Sequence, residues 1–111
     1  MNNSGEQTEM KYFALIYYVV ENFVERRAPF RAEHLRLAQA AKQRGELMLA
    51  GALGDPAERA LLVFYAPDKT AAESFAQNDP YVINGLVARW EVQPWAVVIE
   101  HDHFAAPGGV E

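Results

Sequence analysis

At 111 residues, half of them apolar and 23% charged, the chain has the size and make-up of one globular domain, which excludes intrinsic disorder. Its net charge of −5 argues against a nucleic-acid partner, because such binders need clustered Lys and Arg and here only Arg26 and Arg27 adjoin. The lack of cysteine excludes disulfides, thiol nucleophiles and cysteine-ligated metals.

Residues 1–10 read as a flexible tail, 11–99 as the domain, and 100–111 as a second flexible tail ending in Pro107-Gly108-Gly109. Residues 2–9 are polar and acidic, unlike a basic secretion leader. The apolar run over 12–20 is about half a membrane span, so the expectation is a cytoplasmic protein with no membrane partner.

Residues 11–20 are aromatic and β-branched, and predict a strand. Both faces are apolar: Tyr12, Ala14, Ile16 and Tyr18 on one, Phe13, Leu15, Tyr17 and Val19 on the other. Pro29 is suited to opening a helix over 30–44, whose apolar stripe is Phe30, Leu37, Ala38 and Ala41 and whose stop signal is Gly45. A strand over 47–53, a turn at Gly54-Asp55-Pro56 and a strand over 60–66 follow. Thr70 and Glu73 have capping-box spacing at the start of a second helix that carries Ala71, Ala72, Phe75 and Ala76 on one face. Pro80 breaks that helix, and one more turn closes on Gly85. From 86 to 93 the pattern alternates, with Leu86, Ala88, Trp90 and Val92 opposed to Val87, Arg89, Glu91 and Gln93. Pro94 fits an edge or a bulge, with strand resuming over 95–99.

The order βαββαβ predicts an α+β, ferredoxin-like domain: a four-stranded antiparallel sheet with two helices on one face. Two helices cannot cover both apolar faces of the sheet, so a homodimer is expected. Whether dimers associate further stays open.

His34 lies on the apolar stripe of the first helix, either as a core histidine satisfied by backbone or as a general acid or base lining a pocket. Asp79, in Asn78-Asp79-Pro80-Tyr81, is either a turn former or the carboxylate that orients His34, the two helices bringing them together at a sheet edge. His101 and His103 have strand spacing for a metal but fall in the tail, and no metal site is expected. There is no glycine-rich phosphate loop, no nucleophile elbow around Ser4 or Ser74, and no carboxylate pair flanking a cleft.

Arg31-x-x-His34-Leu35, Gly45-x-Leu47, Ala50-Gly51, Asn78-Asp79-Pro80-Tyr81 with Gly85, and Val92-Gln93-Pro94-Trp95 together resemble the YciI-like (YCII-related) family over about residues 11–99. The resemblance implies a dimeric α/β barrel-type assembly with a pocket near the dimer interface. It implies a His34–Asp79 catalytic pair, Arg31 and Tyr81 beside it as substrate contacts, and no metal or organic cofactor. Its best-understood activity is loss of chloride from a chlorinated aromatic ring intermediate. The turn over 54–58 is shorter and more acidic than the glycine-rich loop of many relatives, which would alter substrate choice if that loop covers the pocket. The leading expectation is proton abstraction by His34, leading to elimination, isomerisation or hydrolysis of a small cyclic or aromatic compound, which Tyr17, Tyr18, Tyr81 and Trp95 would suit. A non-catalytic ligand-binding module and a purely structural dimer are the alternatives.

Overall fold

The computed structural model describes residues 9–102. His103 and most of both expected tails lie outside that range. The elements run β1 (Lys11–Val19), α1 (Phe23–Arg26), a 3-10 turn (Ala28–Phe30), α2 (Arg31–Gln43), β2 (Leu47–Leu53), β3 (Arg59–Ala66), α3 (Thr70–Asn78), α4 (Pro80–Ile83) and β4 (Val87–Trp95). The strands form one antiparallel sheet in the order β2-β3-β1-β4, with β1 and β3 inside. This is the ferredoxin-like plan: the first helical crossover leaves a gap between β1 and β2 that β3 fills, and the second returns β4 to the other side of β1.

The core lies between the helices and one face of the sheet. Phe13, Leu15 and Tyr17 of β1 stand opposite Phe64, Leu62 and Ala60 of β3, and the buried residues among them pack on Ala41, Ala72, Phe75, Ala76 and Tyr81. On the other face Tyr12, Ala14, Ile16 and Tyr18 are only partly covered, and Leu49, Leu53 and Trp95 are exposed. Beside this apolar area Tyr18 Oη donates to Glu91 at 2.7 Å, and the Arg89 guanidinium lies 3.8 Å from the centre of the Tyr18 ring. After β4 the chain turns back over one corner of this face, where Tyr12 Oη donates to Glu100 at 2.5 Å.

Several local details differ from expectation. Asn22 adopts a left-handed conformation (φ 59°), which Asn tolerates better than most residues, and opens α1, a turn of helix the pattern does not announce. Pro29 sits in the 3-10 turn, and α2 begins after it at Arg31. The Thr70–Glu73 capping box does not form. Asp68 accepts the Thr70 N–H at 2.9 Å instead, a local side-chain bond that competes with the cap, while Glu73 pairs with Lys69 at 3.8 Å. In β4 the irregularity is at Ala88 and not at Pro94: Tyr18 pairs with Arg89 and Val19 with Val87. That extra residue shifts the alternation, so Leu86 and Val87 are both buried and Ala88 is exposed. Pro94 stays within β4, which is an edge strand and tolerates the missing N–H, and the strand ends at Trp95. No helix among the described residues is long and apolar enough to cross a membrane.

Candidate active site

The centre of the site is set by a proline. Pro80 forbids helical geometry at the residue before it, so α3 stops at Asn78 and Asp79 takes an extended conformation (φ −75°, ψ 123°). Pro80 then serves as the first residue of α4, where its missing N–H costs nothing. The Asp79 carboxylate turns inward and is fully buried. It accepts the Tyr81 N–H at 2.9 Å, capping α4, and the Tyr17 hydroxyl at 2.7 Å. The His34 Nδ1 lies 3.0 Å from each carboxylate oxygen. Taking a carboxylate out of water costs several kcal/mol, and these donors offset that cost. The pair sits over the inner strand β1, through Tyr17, and not at a sheet edge.

Burial and then the neighbouring carboxylate push the Tyr17 phenol far above its ordinary pKa, so it is a fixed hydrogen-bond donor. A carboxylate only accepts, so the ring proton of neutral His34 is on Nδ1 and Nε2 is left as the basic nitrogen. Packing fixes the ring plane: it stacks on Tyr81 with centroids 3.9 Å apart and planes at 10°, and meets Phe75 edge-on at 6.1 Å.

The His34 side chain is 15% exposed and lines a cavity of about 420 Å³ bounded by α1, α2 and β2. Arg27, Arg31, Gln39, Lys42 and Tyr81 line it as well. The Tyr81 hydroxyl is buried without a hydrogen-bond partner; Arg31 stands near it, but not in good hydrogen-bonding geometry. Burial raises the Tyr81 phenol pKa, while Arg27 and Arg31 pull against that rise.

The structure thus brings together His34, Asp79, Arg31 and Tyr81, the residues singled out in the sequence. Tyr18 and Trp95 lie on the other face of the sheet, away from this cavity. Sequence reasoning passes over the roles of Tyr17 and Arg27. Tyr17 carried a signal: a tyrosine on the buried face of a strand needs an acceptor for its hydroxyl. Arg27 carried none beyond its charge. No cluster of three His, Asp or Glu able to hold a metal occurs among the described residues.

A family model of the YCII-related domain matches residues 10–96. Among solved structures, a 5-chloro-2-hydroxyhydroquinone dehydrochlorinase from Burkholderia phenoliruptrix AC1100, in complex with 2,5-dihydroxybenzoquinone, is similar to this chain. The TM-score is 0.63 at 22% identity, covering 77% of this chain and 93% of that one. A dimeric ferredoxin-like protein from an uncultured marine organism aligns with a TM-score of 0.50 at 15% identity, covering 85% of this chain and 93% of that one. At these identities the likeness is one of fold, and it agrees with the ferredoxin-like plan described above. No curated protein matches the chain.

Replacing Tyr17 by Phe removes a charge-assisted hydrogen bond while keeping the ring, and should lower stability by about 1–3 kcal/mol in urea unfolding at neutral pH. The folded-state Tyr17 pKa is raised above its unfolded value of about 10, so its contribution is complete below that pH and is lost as pH rises further. Wild-type stability should therefore fall above about pH 10, and less steeply in Tyr17→Phe. Parallel alkaline limbs in the two proteins would count against the buried Tyr17–Asp79 bond.

Proposed function

Because the chain belongs to the YCII-related domain family, we propose that it is a small-molecule enzyme in which His34, oriented by Asp79, acts as general base on a small cyclic or aromatic compound. The observation that carries this reading is the contact of His34 Nδ1 with both oxygens of a fully buried carboxylate at 3.0 Å, beside a cavity that His34 also lines. A carboxylate on Nδ1 fixes the tautomer and leaves Nε2 as the nitrogen free to accept a proton, which is the arrangement proton abstraction needs. Arg31 and Tyr81 contact the substrate. The reaction is an elimination, isomerisation or hydrolysis begun by that abstraction, and such a step calls on no metal or organic cofactor. The dehydrochlorinase among the structural neighbours supports the elimination arm.

The same reading makes the protein a homodimer, joined through the sheet face that the helices leave open. Ile16, Leu49, Leu53, Leu61 and Trp95 supply its apolar surface, and an exposed patch of this kind is unusual on a lone domain. The neighbour described as a dimeric ferredoxin-like protein supports this assembly.

A panel of hydroxylated and chlorinated ring compounds provides the assay. Once a turned-over compound is in hand, His34→Ala should lower kcat by about 10²–10⁴-fold, and Asp79→Asn should lower it as well, with folding checked by thermal melting. Unchanged turnover in His34→Ala would sink the general-base reading. For the assembly, light scattering should give twice the 12.5 kDa chain mass for the wild type, and Ile16→Glu should shift it towards a single chain. A wild type that elutes at the mass of one chain contradicts the dimer.

A further inference from the structure

The cavity beside His34 has a charge opposite to that of the whole molecule. Arg27, Arg31 and Lys42 line it and no Asp or Glu does, in a chain whose net charge is −5. Asp79 stands behind the imidazole, fully buried and absent from the lining. Two of the cations are gathered by the local fold: Arg27 closes α1, the 3-10 turn Ala28–Phe30 follows at once, and Arg31 opens α2. Among the described residues neither arginine is paired with a carboxylate. Arg27 instead lies over the Phe23 ring at 5.3 Å, a contact that leaves its fork of N–H donors available.

A second observation points to the same place. The Tyr81 hydroxyl is buried, on a residue only 2% exposed, and has no hydrogen-bond partner. Its ring is pinned against His34, so the hydroxyl stays at the cavity and cannot swing out to water. An unpaired buried donor is costly, and the natural complement of a phenol beside two guanidiniums is an anionic acceptor. Guanidinium forks match the planar, two-oxygen geometry of a carboxylate better than that of a single oxygen.

Resting on the general-base reading above, we infer that the substrate is a ring compound bearing a carboxylate, which Arg27, Arg31 and the Tyr81 hydroxyl hold beside His34. The same positive surroundings stabilise the further negative charge that develops when His34 removes a proton. Lys42, farther along α2, adds to the attraction without a defined geometry.

Benzoate and benzamide, matched in shape and different in charge, test this by calorimetric titration of the full chain. Benzoate should bind at least about tenfold more tightly, and the preference should shrink as salt rises. Tyr81→Phe should weaken benzoate and leave benzamide unchanged, and the Arg27→Gln/Arg31→Gln double variant should abolish the preference. Equal affinities in the wild type, no saturable benzoate binding, or a preference that survives in the double variant would each overturn the inference. Failure of the two readings is distinguishable. Benzoate preference together with unaltered turnover in His34→Ala rejects the base and keeps the anion site; equal affinities with turnover lost in His34→Ala do the reverse.

Discussion

The Asp79 carboxylate is fully buried, and the groups that satisfy it come from three separate elements: Tyr17 from β1, His34 from α2 and the Tyr81 N–H from α4. In a low-dielectric interior an unmet carboxylate would cost more than most single contacts in the domain contribute. The sheet, the first long helix and the short helix after Pro80 are therefore obliged to meet at one point. Each donor serves a second purpose there: the Tyr17 ring packs in the core, the Tyr81 N–H starts a helix, and His34 gains a defined tautomer. Stability and the orientation of the imidazole are consequences of one interaction.

From that point the two sides of the sheet part company. On the helix side, α2 and β2 together border the cavity that opens beside His34. The opposite side keeps an apolar centre from β1 and β3 and a polar border on β4 made by Arg89, Glu91 and Gln93. The cavity beside His34 and the uncovered apolar face thus lie on opposite sides of the sheet, with Leu49 of β2 bordering both. The cavity gathers cations around a buried phenol, while the molecule as a whole repels anions. A negatively charged ligand therefore meets locally positive surroundings at the cavity, against the net charge of the chain.

Much of this was legible in the residues. The helix break at Pro80, the placement of His34 on a buried stripe and the order of elements follow from proline geometry and periodicity, which are local rules. What was not legible depended on competition or on distance. Thr70 and Glu73 have the right spacing for a capping box, but Asp68, two residues earlier, takes the N–H first. Residues 86–93 alternate cleanly on paper, yet one extra residue at Ala88 inverts the faces ahead of it, and a bulge leaves no mark in an alternating pattern. Tyr17 is 62 positions from the aspartate it serves, a pairing that only the folded register supplies. Arg27 reaches the cavity through a 3-10 turn that separates it from the helix where Arg31 begins, so helical spacing could not link the two.

The most direct test of the account is the protonation of the His34 ring, read by nitrogen-15 NMR of the wild type and of Asp79→Asn under conditions where the ring is neutral. The wild type should show a single tautomer with the proton on Nδ1 and Nε2 unprotonated. In Asp79→Asn the amide oxygen keeps the Tyr81 N–H, the amide NH₂ faces Nδ1, and the tautomer should invert, placing the proton on the nitrogen that has to act as the base. A wild-type ring with its proton on Nε2, or the same mixture of tautomers in both proteins, would contradict the claim that Asp79 holds His34 ready for proton abstraction.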